Sequence, residues 1–112
     1  MRMWLVDPAY MCRKHLLGEH VELHMLVATI QKRKCSLQGY VDNKLIDTTK
    51  IQHRHNELVE EMKKRGYNHK SPLTYVDCIR VGENIIDIQE SHKELMRRCK
   101  DCETLHTKLH SC

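Results

Sequence analysis

Ile85, Ile88, His92, Leu95, Cys99, Cys102, Leu105 and Leu109 follow one another at intervals of three or four residues. That spacing lines one side of an α-helix and no side of a β-strand. It predicts a helix from Glu83 to about Leu109. A second helix is expected over Thr48–Arg65, where Ile51, His55, Leu58, Val59 and Met62 share a face and Gly66 follows as the stop. A first helix is expected from Asp7-Pro8, an N-cap followed by proline at the first helical position, to about Lys34. Its apolar supply is Met11, Leu16, Leu17, Val21, Leu23, Met25, Leu26, Val27 and Ile30, and its tail QKRK puts cations where the helix dipole favours them. Between the first two helices, CSLQGYVDNKLI reads as a turn-rich connection with room for a short hairpin, and residues 67–82, with Pro72 and Gly82, as a long ordered loop. The expected fold is all-α: a compact single domain over residues 1–112, with three main helices and an N-terminal arm reaching the first. With no Phe and one Trp, its core must be aliphatic and rich in thioethers.

The first helix carries the densest chemistry. In HLLGEHVELH, residues 15–24, His15, Glu19 and Glu22 fall at i, i+4 and i+7 and share one face, which Leu26 continues. Glu22 stands beside Leu23 and Leu26, so it is expected to be partly buried, and carboxylates so placed often do acid–base work. The bland alternative is an exposed carboxylate paired with a nearby Lys or Arg. His20 and His24 form an i, i+4 pair that can chelate a metal, but Val21 stands where a zincin helix has its Glu. Two solvated histidines are the reading preferred here.

Nineteen Lys and Arg give a net charge of +4, which suits a polyanionic partner. KKRGYNHK, residues 63–70, gathers four cations and an aromatic at a helix end. It can contact phosphates with Tyr67 free to stack on a base, or serve as a solvated helix terminus. No apolar run approaches the ~20 residues of a membrane span, and the start has no signal-peptide core, so an intracellular protein is expected. The six cysteines (12, 35, 78, 99, 102 and 112) are then expected to be reduced. Cys99-x-x-Cys102, followed by His106, His110 and Cys112, reads as thiols packed on a helix face, with zinc and a disulfide as the other readings.

Two segments resemble one family. His15, Leu16, Glu19, Glu22 and Leu23 match the first-helix pattern of the phage-type pyrimidine-dimer DNA glycosylases with AP lyase activity, and Lys64-Arg65-Gly66-Tyr67-Asn68 matches a second pattern at the end of helix two. The resemblance covers about residues 1–72. It implies that the nucleophile is a backbone α-amine, here that of Met1, which a large second residue should leave unprocessed. It implies that Glu22 is the catalytic carboxylate and that Arg2 helps hold substrate, with His15 beside them. Arg13, Lys14, Lys64, Arg65, Tyr67 and Lys70 are expected to contact DNA. The partner implied is double-stranded DNA bearing a damaged or modified base or an abasic site, bound by a monomer without cofactor or metal; a viral source fits a phage-type family. Val21 and Met25 replace two family arginines, the segment between helices one and two is shorter, and the family's aromatic, basic tail has no counterpart in CKDCETLHTKLHSC. The lesion therefore stays open. So do two rival readings: a DNA-binding module of the same fold without the chemistry, and a helical metal-binding protein.

Overall fold

A computed structural model describes residues 2–32, 42, 44–69, 72–76, 80 and 82–110, without the side chains of 109 and 110. Met1, Lys70, Cys35, Cys78, Cys112 and, of the connection expected to turn, residues 35–41 and 43 lie outside the described residues. The fold is all-helical, as expected, with no strand among the described residues. Among the described residues, four α-helices have defined bounds: α1 (Arg13–Lys32), α2 (Ile51–Lys64), α3 (Ile88–Arg98) and α4 (Lys100–His110). No described helix is long and apolar enough to cross a membrane.

The start signals act one step earlier than the sequence suggests. Asp7 does cap, accepting from Ala9 N at 3.0 Å, but the element it opens is a single 3-10 turn, Pro8–Tyr10. Met11 then turns extended, and α1 begins only at Arg13. Asp47 does the same for the second segment: its buried carboxylate accepts from Thr49 N at 3.0 Å and opens a 3-10 turn over Thr48–Lys50 that runs into α2. The third segment is helical but divided. Asp87 caps α3, and Cys99, at φ −131° and ψ 109°, ends it one residue before α4. Ile88, expected on the buried face, is 47% exposed in the first turn, while Leu95 and Cys102 are fully buried.

α1 and α2 pack against each other, and α4 packs on α3 and on the Pro8–Tyr10 turn. The core is aliphatic and sulfur-rich, as the composition demands: Met3, Met11, Leu16, Leu23, Leu26, Ile46, Ile51, Leu58, Leu95 and Cys102 are essentially solvent-free. Each buried Leu or Ile contributes about 1.5–3 kcal/mol. The N-terminal arm is part of that core. Met3, Trp4 and Val6 are buried; Met3 N donates to Leu45 O at 2.8 Å, and Ser91 Oγ on α3 donates to Trp4 O at 2.6 Å. These bonds fix where the chain start lies against α1.

The long loop after α2 is held by side chains acting as backbone surrogates. Gln52 Nε2 donates to Leu73 O at 2.9 Å, and Gln52 Oε1 accepts from Tyr75 N at 2.6 Å. Asp47 Oδ2 accepts from Asn84 N at 3.0 Å, drawing the 82–84 turn against the entry to α2. Gly82 makes this possible: its φ is +73°, and a Cβ there would lie 2.2 Å from Ile46 O. Gly82→Ala should therefore cost about 2 kcal/mol or more, read as a shift of the chemical-denaturation midpoint.

Candidate active site

Glu22 sits in the middle of α1, half-buried, between exposed Val21 and fully buried Leu23. Its carboxylate faces the arm: Arg2 N donates to Glu22 Oε2 at 3.2 Å. The partial burial expected from the periodicity is observed, and among the described residues the hydrogen-bond partner is main chain.

Trp4 organises the surroundings. The Arg2 guanidinium lies over its ring at 3.9 Å, Arg98 of α3 approaches the same ring at 5.9 Å, and His15 meets it edge-on at 6.0 Å. Burial lowers the Arg2 pKa, Arg98 lowers it further, and Glu94 and Glu22 oppose them; a guanidinium still keeps its proton. His15 is pushed below the ordinary histidine range, first by burial and then by Lys14, with Glu22 pulling the other way. Arg2, His15 and Glu22 thus form one neighbourhood. Its two other members, Trp4 and Arg98, were not foreseen, because they reach it through tertiary packing.

Glu19 separates from the other two residues of its predicted face. It is 1% exposed and bound bidentately by Arg54 of α2, at 2.6 Å to Nε and 3.0 Å to Nη2. The pair is a buried crosslink between α1 and α2. Arg54 could have been found, since it follows Ile51 by three residues and precedes Leu58 by four on the buried face.

His20 is not solvated. It is 5% exposed, with its Nε2 at 3.1 Å from His55 Nε2 and 3.0 Å from His69 Nε2, and the His24 ring stacks edge-on at 4.8 Å. Three stretches that are separate in sequence, α1, α2 and the loop after α2, bring these imidazoles together, so a pattern within α1 could not show it.

The cations divide. Arg13, Lys14 and Lys64 are exposed, and the Arg13 guanidinium lies 5.4 Å from the centre of the Tyr67 ring. The start of α1 and the end of α2 therefore present one basic surface next to an aromatic. Arg65 turns inward instead: Nη2 donates to Pro8 O at 3.0 Å and Met11 O at 2.7 Å, and Nε to Glu61 Oε2 at 2.9 Å. Those bonds anchor the turn before α1 to the end of α2, and bonding to Glu61 raises the Arg65 pKa against the effect of burial.

No curated protein and no solved structure is found to match the chain. A family described as pyrimidine dimer DNA glycosylase does match, over residues 1–75. That stretch holds the arm, all of α1 and all of α2, and so Arg2, His15 and Glu22 together with the basic surface. On this match across well over half of its length, the chain belongs to the pyrimidine dimer DNA glycosylase family.

Proposed function

We propose that the protein is a DNA glycosylase with AP lyase activity whose nucleophile is the α-amine of Met1 and whose acid–base residue is Glu22. The observation that carries this reading is the bond from Arg2 N to Glu22 Oε2. Arg2 N is joined to residue 1 through the peptide bond, so the Met1 amine lies only three covalent bonds from the atom that the carboxylate accepts from. An α-amine has an ordinary pKa of about 7.7–8, which leaves a useful fraction uncharged and nucleophilic at neutral pH. The amine attacks C1′ of the deoxyribose, the glycosidic bond breaks with its electron pair leaving on the base, and an imine links protein and sugar. Loss of a 2′ proton then expels the 3′ phosphate and cuts the strand. Glu22 stabilises the positive charge growing on the sugar and carries protons for ring opening and elimination.

Arg13, Lys14 and Lys64 supply phosphate contacts to duplex DNA, with Tyr67 held among them, while Arg2 supports the substrate from the arm. Lys70 is proposed for the same surface from the sequence alone. Strand cleavage measured on duplexes carrying an abasic site, a thymine dimer and several modified bases tests the proposal and identifies the lesion. Cleavage of at least the abasic duplex is expected, and intact strands throughout would refute it.

One observation favours a second reading, a DNA-binding module without the chemistry. Val21 and Met25 are 53% and 52% exposed, apolar side chains facing solvent on either side of Glu22. That reading expects salt-dependent binding to DNA that blocking the N-terminus leaves unchanged, and no cleavage.

A further inference from the structure

Cys12, His15, Cys99 and Cys102 bring four metal-ligating atoms within 4.8 Å of one another. We propose that these residues form a structural zinc site that clamps the C-terminal helices to the start of α1.

The site is built from two copies of one local device. Cys12 immediately precedes α1, its carbonyl accepting from Leu16 N at 2.9 Å, and His15 stands three residues on. Cys99 immediately precedes α4, its carbonyl accepting from Glu103 N at 3.1 Å, and Cys102 stands three residues on. A side chain at the cap and another three residues later converge on the same side of a helix start. The break in the long third segment is what creates the second copy: an unbroken helix would leave Cys99 and Cys102 as ordinary neighbours on its face.

The distances suit a tetrahedral ion. Zn–S bonds of ~2.3 Å and Zn–N bonds of ~2.0–2.1 Å put sulfurs about 3.8 Å apart and sulfur about 3.6 Å from nitrogen. Cys12 Sγ lies 3.7 Å from Cys99 Sγ and 3.2 Å from His15 Nδ1, and Cys102 Sγ lies 3.8 Å from His15 Nδ1. A disulfide needs its sulfurs at ~2.05 Å, so the 3.7 Å pair is not one, and all three cysteines are free. Cys12 N donates to Cys102 Sγ at 3.1 Å, a main-chain hydrogen bond of the kind that steadies a metal-bound thiolate. The thiols lie on the buried face that the periodicity predicts, Cys12 and Cys102 within the hydrophobic core and Cys99 packed against it, and they also face one another and an imidazole.

Three thiols and one imidazole are a soft, closed donor set, which selects zinc and leaves no position open for substrate. Binding releases three thiol protons and leaves Zn²⁺ with three thiolates and a neutral imidazole. The partners are not those that the tail offers by proximity in sequence. His106 instead stacks on Tyr10 and His92, at 4.8 Å from each, and Cys112 lies outside the described residues. The site joins residues 87 apart in the chain. Cys12 and His15 belong to the stretch that the family match covers, whereas α3 and α4 lie beyond it. The clamp therefore fastens an added C-terminal element to the catalytic half, and it makes His15 a metal ligand.

Metal analysis of the full-length protein purified without chelator tests this. About one zinc per chain is expected, falling to near zero in Cys99→Ser/Cys102→Ser. Cobalt exchanged into the wild-type chain should give the thiolate-to-metal charge-transfer absorption that an all-histidine site, such as one at His20, His24 and His55, cannot produce. Wild-type protein that is folded by circular dichroism yet carries no zinc, or cobalt spectra without the thiolate band, would overturn the proposal whatever the DNA chemistry turns out to be.

Discussion

Glu22→Gln is expected to slow strand cleavage of abasic-site DNA by about 10²–10⁴-fold, the usual contribution of a positioned acid–base group. The substitution keeps an oxygen that can accept from Arg2 N, so the arm should stay docked. It removes the negative charge that stabilises the sugar cation and the ability to take and give protons. Binding to the same DNA should change little, because the proposed phosphate contacts lie elsewhere, at Arg13, Lys14 and Lys64. Single-turnover cleavage rates beside binding isotherms separate the two effects. Unchanged cleavage would remove Glu22 from the mechanism; a parallel loss of binding would make its role structural.

Arg54→Ala should be the most damaging single change to the fold, costing roughly 3–5 kcal/mol in chemical denaturation. The Glu19 and Arg54 side chains are 0% and 1% exposed, so truncating the arginine leaves a carboxylate in the core with no counter-charge. It also strips a donor from Met11 Sδ, which lies 3.3 Å from Arg54 Nη2. Replacing both members with apolar residues of similar volume should recover most of that loss, since the attraction within a buried pair largely offsets its desolvation. A single-site loss well under 1 kcal/mol would show that water reaches the pair.

What the sequence reveals about this molecule follows from how local each signal is. Helical spacing identified the segments that hold α1, α2, α3 and α4, and it placed Glu22 at the margin between apolar and exposed positions. Asp7-Pro8 announced a helix start, but an Asp cap serves a 3-10 turn as well as an α-helix, and Asp47 caps such a turn too, so α1 and α2 begin later than the sequence suggests. Cys99 breaks the last segment although the apolar spacing runs through it unbroken, because a face pattern does not record one extended residue. Partners were the least legible. Glu19 looked like a companion of Glu22 until α2 supplied Arg54; His20 looked solvated until His55 and His69 closed over it. The cysteine pair near the C-terminus meets Cys12 and His15 only because α4 returns to the start of α1. Arg65 shows the same limit: a cation at a helix end reads as a phosphate contact, and only the carbonyls of Pro8 and Met11 show that its donors are committed inside the fold.

The central claim is that the first amine of the chain attacks the sugar, with Glu22 beside it. Borohydride added while the protein acts on abasic-site DNA reduces the imine to a stable amine and so captures the attacking nitrogen. The account predicts a covalent protein–DNA adduct that maps by mass spectrometry to the α-nitrogen of Met1 and disappears when that amine is blocked. Strand cleavage without an adduct, or an adduct on an internal lysine, would contradict it.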